Sequence, residues 1–275
     1  MAIPRTYKTE AIVLKHSNFG EADRIVTLFT PNYGKIRAVA RGVRRMKSKL
    51  GGHVEPINCC SMMLSHGRNL EIINQSQIVE DFSPVHRNLE LTAQAAYLVE
   101  LVDVFNSEHS ENYPVYKLLL NSLRHLGRTA KIDLLFRYFE VQLLGHLGYR
   151  PELFECVQCR SPLKPVENFF SCSNGGVLCS GCAPSQLTVR PLSLNALKVL
   201  RLLQAGEYAN ASRLRLSTQL SCELNQTLQE YIRYLLEREL KSTGFLEHLK
   251  KEPLGDLILR KRNRVSPAEE SVLDN

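Results

Sequence analysis

A chain of 275 residues is long enough for two or three compact units, and its 44% hydrophobic and 23% charged residues argue against a disordered chain. No run of about 18 apolar residues offers a membrane span. The net charge of +7 is unevenly placed: residues 1–81 hold 12 Lys/Arg against 7 Asp/Glu, residues 82–249 hold 17 against 16, and residues 250–275 hold 6 against 5. An anionic partner is therefore expected at the first third of the chain.

The N-terminal stretch MAIPRTYKTEAIVLK carries charges every few residues and no apolar core of signal-peptide length, so a cytoplasmic protein is expected. Residues 1–82 then predict β structure. Glu10–Leu14 and Arg24–Phe29 are β-branched, apolar runs separated by HSNFGEAD, whose Asn, Gly and Asp suit a turn. Pro31, Asn32, Tyr33 and Gly34 signal a second turn before KIRAVAR. In that strand Ile36, Ala38 and Ala40 share one face, while Lys35, Arg37, Val39 and Arg41 share the other. The cationic face runs on into RGVRRMKSKLGG, where Arg41, Arg44, Arg45, Lys47 and Lys49 stand with no acidic residue among them. Ile57–Leu64 and Leu70–Val79 predict a hairpin about residues 65–69. Five short strands with glycine turns suggest a small closed barrel of the OB type.

Near Ser83 and Pro84 the period changes. Leu91, Ala95, Leu98, Val102 and Phe105 repeat at helical spacing over 89–105, and 113–126 and 132–147 follow the same rule, ended by Gly127 and Gly148. Residues 192–249 predict about three more helices, the last around LNQTLQEYIRYLLERELKS. The expected fold is thus α+β and multidomain. It comprises the barrel (1–82), a helical body (83–152 and 188–250), a cysteine module inserted at 153–187, and a polar, mobile tail (251–275).

The inserted segment reads CVQCRSPLKPVENFFSCSNGGVLCSGC. Cys156 and Cys159 form one C-x2-C pair and Cys179 and Cys182 a second, with 19 residues between the pairs. Each knuckle lets two thiolates reach one ion, so the pattern predicts one structural zinc with a closed coordination sphere. Gly175 and Gly176 suit the turn that delivers the second knuckle. Cys172 has no partner at knuckle spacing, and His146 sits in a helix; neither is taken as a ligand. Cys59, Cys60 and Cys222 lie in strand or helix patterns and are expected in the core.

These features together resemble the RecO family of bacterial recombination mediators. The resemblance rests on EAIVLKHSNFGEADRIVTLFTPNYGKIRAVARGVRRMKSKLGG (10–52), EP (55–56), AAYLVELVD (95–103), RYFEVQLLGHLGYRPEL (137–153) and the cysteine segment. It implies an N-terminal OB-fold, a helical body and a zinc module, a feature that varies within the family. It also implies a DNA-repair role without catalysis: binding single- and double-stranded DNA, annealing strands, and partnering RecR. With RecR such proteins help load RecA onto DNA coated by single-strand binding protein (SSB), whose C-terminal tail they bind. Nucleoid association follows from such a role.

The residues suit that expectation. Lys35, Arg37, Arg41, Arg44, Arg45, Lys47 and Lys49 form a track for phosphates, and Arg24 and Arg68 are placed on the same surface. Phe19 and Tyr33, in turns beside the basic strands, are the candidate platforms for stacked bases, each with the alternative of packing over a barrel end. Phe29 is assigned to the core. An enzyme is disfavoured: Glu21 and Asp23 are the single close acidic pair near the basic face and suit a turn cap or ion pair. No P-loop, nucleophile elbow or His-Glu-x-x-His pattern occurs. The alternative is a zinc-ribbon adaptor in transcription or translation. For a peptide like the SSB tail, Arg124, Arg128 and Arg137 of the body are the cations considered.

Overall fold

The computed structural model describes residues 5–186, 188–244 and 246; the expected tail at 251–275 and the body's last residues lie outside them. Five strands, β1 (Thr6–Phe19), β2 (Asp23–Thr30), β3 (Gly34–Ala40), β4 (Cys59–Ser65) and β5 (Glu71–Glu80), close into a barrel in the order β1-β2-β3-β5-β4. All pairs are antiparallel except β3 with β5. This is the expected OB-like arrangement.

One boundary differs from the expectation. HSNF is strand, not turn: β1 runs to Phe19, which pairs with Asp23, and only residues 20–22 make the turn. The long strand serves two partners, β4 through Thr6–Ile12 and β2 through Ile12–Phe19, with a register shift between Val13 and Lys15. Such an irregularity lets one strand bend around a barrel corner.

Burial explains why AIVL at 11–14 does not alternate. Ala11 and Val13 point into the barrel with Val26, Leu28, Ile36, Ala38, Met62 and Leu64, forming one core. Ile12 and Leu14 point outward into a second core, joined by Phe29, Ile57 and Cys59. A strand buried on both faces loses its polar positions. The outer layer is the helical body: α1 (Ser83–His86), α2 (Leu89–Phe105), α3 (Tyr113–Leu126) and α4 (Ile132–His146), then α5 (Leu194–Ala205), α6 (Tyr208–Ala211) and α7 (Thr218–Leu236). Asn88, Asn112, Ser193 and Ser217 cap α2, α3, α5 and α7 by accepting hydrogen bonds from backbone N–H groups three residues on. The helix expected over 224–242 starts earlier and is broken: α7 ends at Leu236, where Glu237 takes a left-handed conformation, and residues 241–244 are helical again.

Between α4 and α5 the chain forms a three-stranded sheet, β7-β6-β8, from β6 (Asn168–Ser171), β7 (Gly176–Leu178) and β8 (Arg190–Leu192). Phe170, Val177, Leu178 and Leu192 belong to the same core as the helices, and the Phe170 ring lies 5.4 Å from that of Tyr231 on α7. No helix among the described residues is long and apolar enough to cross a membrane.

Candidate nucleic-acid interface and metal centre

The basic stretch closes one end of the barrel. Val43 and Val54 are buried in the barrel core and Leu50 packs against it, so the loop from 41 to 58 is anchored at both ends. Gly42 takes φ +62° and its N–H donates to Asp23 Oδ1 at 2.7 Å. Arg44 N donates to Ala22 O at 2.9 Å, which seats the loop on the β1–β2 turn. The cap function expected of the Glu21/Asp23 pair thus falls to Asp23. The ring of His53 is 2.8 Å from Ser76 O of β5. With Val43, Leu50 and Val54 packed inward, the loop turns Arg41, Arg44, Arg45, Lys47 and Lys49 outward, all exposed. None has a carboxylate partner among the described residues.

The structure divides the cations selected from sequence into three groups. The loop residues are the first. At the other end of the β2–β3 hairpin, about 20 Å away at the usual rise per residue, Arg68 is exposed in the β4–β5 loop. Tyr33 lies at that end too, its ring 4.5 Å from Tyr7, which in turn is 5.1 Å from His66. Tyr33 is therefore packed at a tilt against Tyr7 at the barrel end while remaining partly exposed. Phe19, by contrast, ends β1 beside the basic loop and is 50% exposed. Arg37 sits on β3 between the two ends, 4.0 Å from Glu108.

The third group is already engaged. Lys35 Nζ donates to Asp103 O at 2.5 Å and lies 3.4 Å from Asp103 Oδ1, and the side chain is only 13% exposed. Asp103 is in the last turn of α2, where a cation also meets the negative end of the helix dipole. Lys15 Nζ binds the other carboxylate oxygen at 2.5 Å. Arg24 Nη1 donates to Glu55 Oε1 at 2.7 Å, with His16 Nε2 3.3 Å from Oε2. Burial opposes ionisation of Glu55, but hydrogen bonds from Arg24 and His16 outweigh it and lower its carboxyl pKa. Lys35 and Arg24 hold elements together, a commitment that strand alternation alone does not reveal.

The four cysteines converge. The Sγ atoms of Cys156, Cys159, Cys179 and Cys182 all lie within 4.8 Å of one another, with Cys159 and Cys179 3.9 Å apart. Tetrahedral thiolates bound at about 2.3 Å would stand about 3.8 Å from each other, so the set fits one metal ion. The first knuckle is delivered by residues 152–157 laid beside β7: Val177 N donates to Glu152 O at 2.9 Å and Val157 N to Val177 O at 3.0 Å. This approach requires glycine at 176, since a Cβ there would stand 2.6 Å from Glu152 O and 2.7 Å from Val157 Cγ1. Hydrogen bonds from the Ser161 side chain and backbone lower the Cys159 thiol to about 6, while hydrogen bonding to Cys179 and Cys159 pushes Cys182 up to about 12. The four could ionise together at this spacing only with a cation among them, which is how the set would hold a metal ion.

Cys172 lies outside the group, half-buried against the core, with burial raising its thiol to about 11. His146 is likewise outside it. Cys59 and Cys60 are buried as expected, but Cys222 is exposed: it sits on the solvent side of α7, whose buried residues are Leu224, Thr227, Leu228, Tyr231 and Ile232.

In the body, Arg124 is paired with Glu80, and Arg137 is buried, donating to Glu140 Oε1 at 2.8 Å and Asn225 Oδ1 at 2.7 Å. Arg128 is exposed. Arg137 borders a cleft of about 620 Å³ between α4 and α7, walled by Ile132, Phe136, Ile232 and Leu240. Charges of both signs flank it: Arg190 paired with Glu230, Arg233 with Glu239, and Arg238 and Asp133 besides. Sequence reasoning did not find this cleft. The Arg137/Glu140 pair one helical turn apart on an apolar helix was the available signal.

The fold and these sites define a class: an OB-like barrel with a basic, unpaired rim, joined to a helical body that carries a four-cysteine metal-type centre. Comparison with known proteins agrees. The family model described as Recombination protein O N terminal matches residues 1–82, and that described as Recombination protein O C terminal matches residues 86–244. The DNA repair protein RecO of Roseiflexus sp. (strain RS-1) is 42% identical over 246 residues, covering 90% of this chain and 87% of the relative. That of Dehalococcoides mccartyi (strain 195) is 37% identical over 254 residues, covering 92% and 100%. The chain belongs to the RecO family of DNA repair proteins. Membership does not favour the zinc-ribbon adaptor alternative.

Proposed function

We propose that this protein is a recombination mediator that binds single- and double-stranded DNA with little sequence preference, through the barrel end closed by the basic loop. The observation that carries this is the loop itself, whose five cations are held outward by buried valines and lack carboxylate partners among the described residues. Phosphate contacts supply most nonspecific affinity for DNA and make it steeply salt-dependent. Replacing Arg44, Arg45, Lys47 and Lys49 together by Ala is expected to weaken binding and to flatten the dependence of log K on log salt by up to about 3 for single strands. An unchanged slope in that variant would sink the assignment. Lys35 and Arg24 are not part of this surface in our reading.

The reading extends to strand annealing, to partnership with RecR, and to loading RecA on SSB-coated DNA, as family membership supports. For the acidic, apolar-ended SSB tail the α4–α7 cleft offers apolar walls and Arg238, since Arg190 and Arg233 there are paired with Glu230 and Glu239. A pull-down with RecR and with SSB, with and without the tail, tests these contacts. The protein acts without catalysis of its own, so purified material is expected to accelerate annealing and to lack nuclease and ATPase activity. The four-cysteine centre holds one structural zinc: four thiolates fill a tetrahedral sphere and leave no open position for a substrate. Metal analysis of protein prepared under reducing, chelator-free conditions should return one zinc per chain.

A further inference from the structure

The tip of the basic loop carries a residue with no role in phosphate binding. Met46 is the most exposed large apolar side chain among the described residues, standing fully in solvent between Arg45 and Lys47. Its position is built rather than left loose. Arg45 N donates to Gly42 O at 3.1 Å and Ser48 N to Arg45 O at 2.9 Å, so two successive turns place Met46 at a corner. The anchors at Val43, Asp23 and Val54 fix the base of those turns. Turn corners in solvated loops favour Gly, Pro, Asn, Asp and Ser, each for a backbone reason that Met does not satisfy.

We propose that Met46 packs against the faces of unpaired nucleobases while the flanking cations hold the phosphates; this rests on the DNA-binding reading above. A thioether is polarizable and makes favourable contacts with aromatic rings, and Met is among the side chains that proteins press against base steps. In a duplex the contact requires unstacking a base step, whereas a single strand offers base faces without that cost. A mediator at a basic barrel end would thereby sense bases as well as charge.

The test compares two oligonucleotides of equal length and charge, one a normal single strand and one with every base replaced by an abasic analogue. The unaltered protein is expected to bind the normal strand more tightly. Met46→Gln is expected to lose about two- to tenfold in affinity for the normal strand, little for the abasic one, and to keep the salt slope. Met46→Leu should retain most of the preference. Equal affinity of the unaltered protein for both strands would overturn the proposal, as would a Met46→Gln variant that keeps the preference or weakens both strands alike. Failure of the underlying reading is distinguishable, because the four-cation alanine variant would then leave both affinities unchanged.

Discussion

The barrel and the cysteine ribbon solve the same problem, holding short strands in register, with different means. The barrel strands run 7 to 14 residues and close on themselves around their own side-chain core. Its rim cations have no carboxylate partners among the described residues, Arg44 reaching only Gly20 O at 3.4 Å. The ribbon strands run 3 and 4 residues, too short to pair stably alone. They depend on the sulfur cluster on one side and on the helical core, through Phe170, Val177 and Leu178, on the other. Side chains that carry the ribbon's chemistry are therefore the ones that fold it.

This contrast is open to direct attack. The largest effect should come from Cys156→Ser or from chelation: structural zinc in small modules contributes about 10–16 kcal/mol of binding energy, comparable with an entire domain's stability. Amide hydrogen exchange is expected to lose protection in 152–192 and the adjoining helices while the barrel strands keep theirs. Barrel protection lost in step would show the two regions to be one cooperative unit.

Gly176→Ala comes next. The added methyl meets backbone at Glu152 and should destabilise by about 1–3 kcal/mol in denaturant unfolding, with weaker metal retention. A neutral result would mean that the first knuckle is not held by that close approach.

Within the barrel, Lys35→Met should cost about 1.5–3 kcal/mol by removing a hydrogen-bonded charge at the junction with α2. DNA affinity and salt slope are expected to stay unchanged; a flattened slope would return Lys35 to the binding surface.

The smallest stability change is expected for the four-cation alanine variant, within about 0.5 kcal/mol per site and of either sign. Its thermal midpoint, measured beside its binding isotherms, separates a free rim from a structural one.

The two regions also differ in how far the chain sequence speaks for them. The cysteine spacing, the five strands, the cationic face of β3 and the helices of the body are all legible because periodicity and knuckle spacing are local and obligatory consequences of backbone geometry. So is Phe29 in the core; Gly176, expected in the turn before the second knuckle, instead opens β7, where the backbone leading to the first knuckle approaches it. Tertiary structure alone decided what covers each face. Alternation puts Lys35 and Arg41 on the same side of β3, yet α2 ends at Lys35 and solvent meets Arg41. Tyr33 and Phe19 both border the β2 strand, yet Tyr7 packs against Tyr33, and among the described residues no aromatic ring packs on Phe19. Cys222 follows a helical pattern but lies on the wet side of α7. HSNF continues a strand because β2 pairs with it across a tighter turn than its composition suggests. In each case the residue's type and spacing were fully visible, and its neighbours from distant sequence were not. A side chain's face follows from its own backbone, whereas its partner follows from which other elements pack there.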